Sequence, residues 1–468
     1  MHTLDKEILR LALPSILANI TIPLVGMVGT AVAGHLPVSG AAGAAVFIGA
    51  ISVGSMLFNL LYWNFSFLRT GTGGLTAQAY GAGDMHACAG ILYRGVGLAL
   101  ACALLALALQ WPFVKLALLI VDASPEVEAL AAKYFFIRIW AAPATIGLMA
   151  FSGWFVGMQD SVSSMWKDLV VNIVNMAASL ILALGIGKWD GLGFIGIPIA
   201  TVAAQYSGLL FCVLVCVFKY RSKVFSHFSL KELPGLMDRS SMRSYMKMNA
   251  DLFGRSIGFT VIYIGYTLIA AGYGDTMLAC SAIMMQLLML FSYFTDGFAY
   301  AGEALTGRFV GARDATMMRL TVRKVFVWSM SIAVAFIGIY WACGVPLLRL
   351  LTSDVTVVES CRQFLPWLIL MPPLGCAAFT WDGIYLGATA SRPIRNSMLG
   401  AALCFFLFWM VSTLIRGGAP SGAEAPEALE RYNAVGIHLL LGAYFAHLLF
   451  RTVYMSLKYR SSVTVRHL

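Results

Sequence analysis

Charge is what this chain has least of. Only 12% of its 468 residues are charged, where soluble domains carry about 25%. Acids are scarcer than bases, 22 against 32, which leaves a net charge of +10. A nucleic-acid-binding protein would gather such an excess on a folded soluble face, and no segment here is long enough to build one. The nine cysteines include no CxxC pair, and the seven histidines no HExxH. GxSxG, a Walker A loop and a dinucleotide fingerprint are also missing, which argues against an intramembrane protease or an ATP-driven pump. The opening MHTLDKEILR is short and charged, and a full-length apolar run follows it, so no cleavable signal is expected.

What the chain has is apolar length. Hydrophobic residues make up 60% of it, with a mean hydropathy of +0.81. Runs of the roughly 20 residues needed to cross a bilayer recur twelve times: 8–33, 43–68, 91–114, 131–156, 165–186, 193–218, 247–271, 278–304, 324–348, 359–386, 395–415 and 434–457. The two halves also repeat. Leu75 to Asp84 read LTAQAYGAGD, and 230 positions later Leu305 to Asp314 read LTGRFVGARD. The same ungapped offset pairs Trp111 with Trp341, Pro143 with Pro373, Gly153 with Gly383 and Gly157 with Gly387. The expected fold is therefore an all-α integral membrane protein, with twelve transmembrane helices in two pseudo-symmetric six-helix lobes. Six spans per unit is an even number, which makes the repeat parallel. A duplicated helical bundle of this kind is above all a carrier architecture. The expected divisions are a lobe at 1–218, a basic linker at 219–246, a second lobe at 247–457 and a tail at 458–468.

Basic residues orient the bundle. With a cytoplasmic N-terminus, inner segments hold 22 of them and outer segments seven (Lys115, Lys133, Lys188, Arg349, Arg362, Arg416 and Arg431). That bias follows the positive-inside rule and places both termini in the cytoplasm. The basic stretch from 219 to 246 then faces the anionic inner leaflet, a setting for a short surface helix and for contact with membrane lipids. Residues 416–433 read as an outer loop.

Polar groups within the apolar runs are the functional candidates, because an ionised side chain near the bilayer centre costs on the order of 2.5–3.5 kcal/mol. In the first half the acids, Asp168 among them, read as loop or helix-end residues. In the second half Asp251, Asp296, Glu303 and Asp382 sit in or near the runs. Asp251 and Arg255 are four apart and are expected to neutralise each other. Asp296 and Glu303 are seven apart, two turns along one face. Asp382 has no basic neighbour at helical spacing and precedes Gly383 and Gly387, which permit close helix approach. Two aromatic faces, Phe58, Tyr62 and Phe65 and then Phe291, Phe294 and Phe298, the latter with Met285 and Met289 upstream, suit a cavity for flat, apolar or cationic ligands. Plain helix packing explains them as well.

GMVGTAVAGHL (26–36), LYWNFSFLRTGTGGLTAQAYGAGD (61–84), KMNADLFGRS (247–256), FSYFTDGFAYAGEALTGRFVGARD (291–314) and WDGIYLGAT (381–389) resemble the multidrug and toxic compound extrusion (MATE) family, in its DinF-like bacterial branch. The resemblance implies two six-helix lobes around a central cavity of alternating access, no enzymatic chemistry and no cofactor. It implies outward export of organic cations or amphiphiles against inward H⁺ or Na⁺ by a protein of the bacterial inner membrane, here taken as a monomer. Asp382 falls on the family's tenth-helix acid. In the first lobe the family's acid position is Gly29, and its Asn-to-acid pair reads Asn175 and Ser179, while Thr201 matches. That site is thus expected to be vestigial, with the first helix serving as wall and hinge and coupling confined to the second lobe. Two further readings remain at this stage: a lipid-linked oligosaccharide flippase of related fold, with Arg69, Arg138 and Arg255 as its cationic groups, and an uncoupled membrane sensor or scaffold.

Overall fold

A computed structural model describes residues 2–36, 44–119, 124–187, 189–225, 239–352, 354–418 and 425–464. Residues 226–238 of the basic linker, the end of the tail and part of the 416–433 loop lie outside the described residues. The rest is almost entirely helix. In chain order the helices are α1 (His2–Gly34), α2 (Ala44–Trp63), α3 (Phe67–Gly81), α4 (Met85–Ala108), α5 (Gln110–Leu118), α6 (Pro125–Arg138), α7 (Ala142–Gly157), α8 (Ser161–Leu184) and α9 (Gly196–Val215), then α10 (Arg239–Ala271), α11 (Asp275–Gly311), α12 (Ala315–Leu351), α13 (Val355–Arg362), α14 (Leu365–Gly387), α15 (Ser391–Arg416) and α16 (Ala425–Tyr459). Among the described residues eleven helical stretches are long and apolar enough to cross a membrane, and α13 with α14, bent by 59°, makes up to twelve. Gln363 and Phe364 interrupt that last span, and Pro366 at the start of α14 has no N–H to continue the α13 ladder.

The repeat persists in atomic detail. Asp84 and its counterpart Asp314 are both helix N-caps, accepting from the Ala87 and Met317 amides at 2.8 and 2.9 Å. The turn residue before each is left-handed, at φ +74° for Gly83 and +57° for Arg313. Two close helix crossings repeat as well. A Cβ on Gly153 would collide with the Arg69 carbonyl of α3, and one on Gly383 with the Ala299 carbonyl of α11. Gly157 and Gly387 meet the Gly73 and Glu303 carbonyls in the same way. Each partner is displaced by the same 230 residues, so the glycines that marked the repeat mark close backbone contacts between its helices. Aliphatic residues drift because lipid tails and packing accept many of them.

Two compact units result: Met1–Ala12 with Ala250–Leu468, and Leu13–Asn249. The first lobe drawn at 1–218 thus loses its opening residues. Asp5 accepts from Lys324 at 2.9 Å and from the Trp328 indole at 3.0 Å, and Glu7 from Arg308 at 3.2 Å. These bonds tie the start of α1 to the C-terminal unit. The second boundary falls inside α10, whose first turns belong to the N-terminal unit. There Tyr245 lies 3.5 Å from the Thr72 hydroxyl, and Asn249 abuts Gly71.

Candidate functional site

The C-terminal unit buries its charge around Asp382. This residue sits near the end of α14, 7% exposed, where Gly383 and Gly387 let α11 cross at backbone distance. Its Oδ2 accepts from Arg255 of α10 at 2.7 Å and from Arg451 of α16 at 2.5 Å. Arg451 is 2% exposed, and its guanidinium also lies over the Phe379 ring. Two more bonds join α14 and α16 at this level. The Trp381 indole donates to Ser456 Oγ at 2.9 Å, and the Tyr385 hydroxyl donates to the Met455 carbonyl. One carboxylate thus holds three helices through two cations, an arrangement that persists in an apolar interior only because each charge is paired.

The Asp251–Arg255 pair expected from spacing does not form. Asp251 instead accepts from Arg395 at 2.5 Å and from Ser391 Oγ at 2.9 Å, both at the start of α15. An i, i+4 pair contributes only about 0.2–0.5 kcal/mol, so satisfying a buried carboxylate elsewhere outweighs it and Arg255 turns to Asp382. Glu303 is fully buried on α11 at the same crossing as Asp382, while Asp296, two turns earlier, is half-buried. Arg451 was the missing piece. Of the 32 basic residues, 22 were inner and seven outer, which leaves Arg138, Arg255 and Arg451 inside apolar runs. Weighing intramembrane bases as the acids were weighed would have found it.

In the N-terminal unit the three polar residues expected to form a vestigial site hydrogen-bond to one another. Ser179 donates to Asn175 Oδ1 at 3.2 Å, Asn175 donates to Thr201 Oγ1 at 3.3 Å, and Thr201 donates to the Ile197 carbonyl at 3.3 Å. Gly29 faces open space, with no atom within 4 Å of where a Cβ would stand. Close packing therefore does not require glycine there. This lobe also holds charge where none was expected. Asp168 is not a helix-end acid but lies in the third turn of α8, 2.6 Å from Lys167, which is buried and donates to Ser152 of α7 at 2.6 Å. Ser152 is the counterpart of Asp382 at the 230-residue offset. Each lobe thus directs a basic side chain at this position.

The aromatic faces proposed as cavity lining are largely packing. Phe58 is buried, stacked on Phe135 at 4.6 Å, with the Arg138 guanidinium 4.5 Å from its ring centroid. Phe291 and Met285 lie in the core of the C-terminal unit, Phe291 edge-on to Phe336 at 5.3 Å. Phe298 is buried 6.4 Å from Trp328. A side chain held on its ring faces by its own lobe offers no surface to a ligand. Tyr62, Phe65, Phe294 and Met289 are half-buried. Among the described residues no cluster of histidine, cysteine or acid could hold a metal ion.

Outside the spans, Asp160 links the start of α8 to the end of the ninth helix. Burial raises its carboxyl, but hydrogen bonds from Lys219, Ser163 and Tyr220 outweigh that and hold it below the usual carboxylate range. Lys219 and Tyr220 both donate to Oδ2 at 2.6 Å.

Comparison with known proteins gives four findings. The MatE family model matches residues 14–181 and 252–404. DNA damage-inducible protein F of Escherichia coli (strain K12) is 34% identical over 403 residues, which cover 86% of this chain and 85% of that protein. Protein DETOXIFICATION 44, chloroplastic, of Arabidopsis thaliana is 24% identical over 424 residues, 87% of this chain and 77% of that protein. Among solved structures, an outward-facing multidrug resistance MATE family transporter of the MOP superfamily superposes with a TM-score of 0.77. It covers 98% of this chain and 96% of its own at 15% identity, a likeness of fold.

Proposed function

The chain belongs to the MatE family, and from that premise we propose that it is a secondary active exporter, moving organic cations or amphiphilic compounds outward against inward H⁺ or Na⁺ by alternating access. The observation that carries this reading is the buried cluster of Asp382, Arg255 and Arg451. A coupled carrier needs a charged element whose contacts differ between states, because a ligand shifts an equilibrium only through differential affinity. A carboxylate bridging three helices supplies one, and Glu303 and Asp296 on the neighbouring α11 are secondary coupling candidates. Asp251, committed to Arg395 and Ser391, is assigned to architecture. Tyr62, Phe65, Phe294 and Met289 are the aromatic and Met positions retained as substrate contacts.

The flippase reading is disfavoured because two of its three cationic groups are already engaged. Arg255 is held by Asp382, and Arg138 by the Tyr134 hydroxyl and the Phe58 ring. We assign the protein to the bacterial inner membrane with both termini and the 219–246 linker in the cytoplasm, from the 22-to-7 distribution of basic residues. The deciding experiment is efflux of a panel of fluorescent cations from cells, with the proton and sodium gradients collapsed in turn. Loss of efflux with one gradient supports coupling to that ion. Efflux indifferent to both, or none at all, refutes the coupled exporter. A cysteine placed at Ser226 in a cysteine-free background should react only from the cytoplasmic side.

A further inference from the structure

Two cysteines distant in the chain meet within the C-terminal unit. Cys280 lies in the second turn of α11 and Cys361 in the last turn of α13, and neither is exposed. Cys280 Sγ stands 3.6 Å from the Val357 carbonyl. Val357 is one turn before Cys361 on the same helix face, and a helical side chain leans back over the turn that precedes it. The Cys361 sulfur is thus directed at the carbonyl that Cys280 reaches, and the two thiols are hydrogen-bonded to each other. Because the Cys280 proton goes to Val357, the Cys361 thiol is the one that donates to Cys280 Sγ. Both are free thiols in this structure.

Their place in the chain sets their compartment. Cys280 is the third residue of the apolar run 278–304, and Cys361 the third of 359–386. With a cytoplasmic N-terminus these are the eighth and tenth spans, and both begin at the outer face. Disulfides form and persist on that side of a bacterial membrane, whereas cytoplasmic thiols are kept reduced. The short helix between the ninth and tenth spans also has a reason to be held. Eight residues are too few for a helix to be stable alone, and the 59° bend at Gln363 and Phe364 ends its continuity with α14. Val355 and the Glu359–Arg362 ion pair stand on its exposed face, with Val358 and Cys361 on its buried one.

We propose that Cys280 and Cys361 form a disulfide site, oxidised on the outer side of the membrane, whose bridge staples α13 to α11.

The step is a thiol–disulfide exchange with a disulfide of the cell's thiol-oxidising machinery. One thiolate attacks that disulfide to give a mixed disulfide, and the second displaces the oxidant as a dithiol. Two S–H bonds are lost and one S–S bond forms here. The two electrons and two protons pass to the sulfurs of the oxidant. A bridge needs sulfurs at about 2.0 Å and Cβ atoms about 3.5–4.5 Å apart, an approach open to thiols already in hydrogen-bond contact. Exchange precedes the docking of α13, since afterwards no part of either cysteine is exposed. The same burial then shields the bridge from reductants.

The site rests on the orientation proposed above, and its test separates the two. The full chain is expressed in a bacterial host with an intact periplasmic thiol oxidase and in one lacking it. Cells are quenched in acid and denatured, and free thiols are blocked with N-ethylmaleimide. Thiols released by reduction are then tagged with iodoacetamide and read by mass spectrometry. In the oxidising host the second tag at Cys280 and Cys361 should exceed that at Cys376 and Cys404 at least about tenfold, and without the oxidase the excess should vanish. Cys361→Ser, or Cys361→Ala should serine not be tolerated, should leave Cys280 open to the first reagent. Equal tagging of all four cysteines in the oxidising host overturns the proposal, as does an excess that persists without the oxidase. Labelling of Ser226→Cys in the cysteine-free background reads orientation by itself. Reaction from the cytoplasmic side alone, with no bridge in the wild type, sinks the disulfide and leaves the topology standing. In nanodiscs, amides of 355–362 should exchange at least about tenfold more slowly in the bridged wild type than in Cys361→Ser, and equal rates overturn the staple.

Discussion

Replacing Asp382 by asparagine separates a coupling residue from a structural counter-ion. The substitution keeps size and one carbonyl acceptor but removes the charge that holds two guanidiniums at 2.5 and 2.7 Å. Their losses are unequal. Arg451, at 2% exposure, is left as an unpaired cation in the bundle interior, whereas Arg255, at 21%, can turn toward solvent. Breaking a buried pair from one side costs about 3–5 kcal/mol, and an exposed pair contributes at most about 1 kcal/mol. Most of the destabilisation should therefore be assigned to Arg451. Removing both partners of that pair should recover a large part of it. A cycle of Asp382→Asn, Arg451→Gln and the double variant should show a coupling energy of about 2–3 kcal/mol, read from unfolding of the purified protein in mild detergent mixed with increasing SDS. Additive losses within about 0.5 kcal/mol would refute the claim that the pair stabilises the bundle. Gradient-driven efflux by the same proteins completes the assignment. If Asp382 couples transport, the double variant regains stability and remains inactive. Wild-type efflux from Asp382→Asn, or from the double variant, would remove Asp382 from the mechanism.

Three further outcomes are expected. Gly387→Ala should lower stability by about 1–3 kcal/mol through overpacking, since its Cβ would meet the Gly307 amide at 2.9 Å, and Gly29→Ala, facing open space, should not; equal melting temperatures for the two variants would contradict the crossing. Gly29→Asp should fold, because the site has room, and should add a second titrating step to the pH profile of efflux or lock the carrier in one state; an inert wild type beside an active Gly29→Asp would show that the C-terminal unit does not couple alone. Asp160, whose folded carboxyl titrates below its ordinary range, contributes stability that is fully present above about pH 4 and is lost as pH falls through the folded value, so the melting-temperature advantage of wild type over Asp160→Asn should be constant from pH 6 to 8 and shrink below pH 4, and an advantage that grows on acidification would reverse the assignment.

The sequence by itself determined the membrane class, the span pattern and the duplication. Those properties are written in local composition: a bilayer requires about 20 apolar residues per crossing, and a backbone-to-backbone crossing admits only glycine, which is why Gly153, Gly157, Gly383 and Gly387 kept the register. It also singled out Asp382, and the family resemblance added the trio of Asn175, Ser179 and Thr201. Partnership was decided only in three dimensions. Spacing paired Arg255 with Asp251, but a buried carboxylate takes whichever cation the helix packing brings to it, and α16 brought Arg451 to Asp382 from 69 residues away. The aromatic stripes were equally ambiguous in one dimension, because a face that lines a cavity and a face that packs on a neighbouring helix have the same 3.6-residue period. Tertiary packing closed Phe58 between Phe135 and Arg138 and placed Phe291 and Met285 in the core. Lys167 was visible only as one of the inner-segment bases. What gives it meaning is its burial and the contact with Ser152 of α7, and neither property is local.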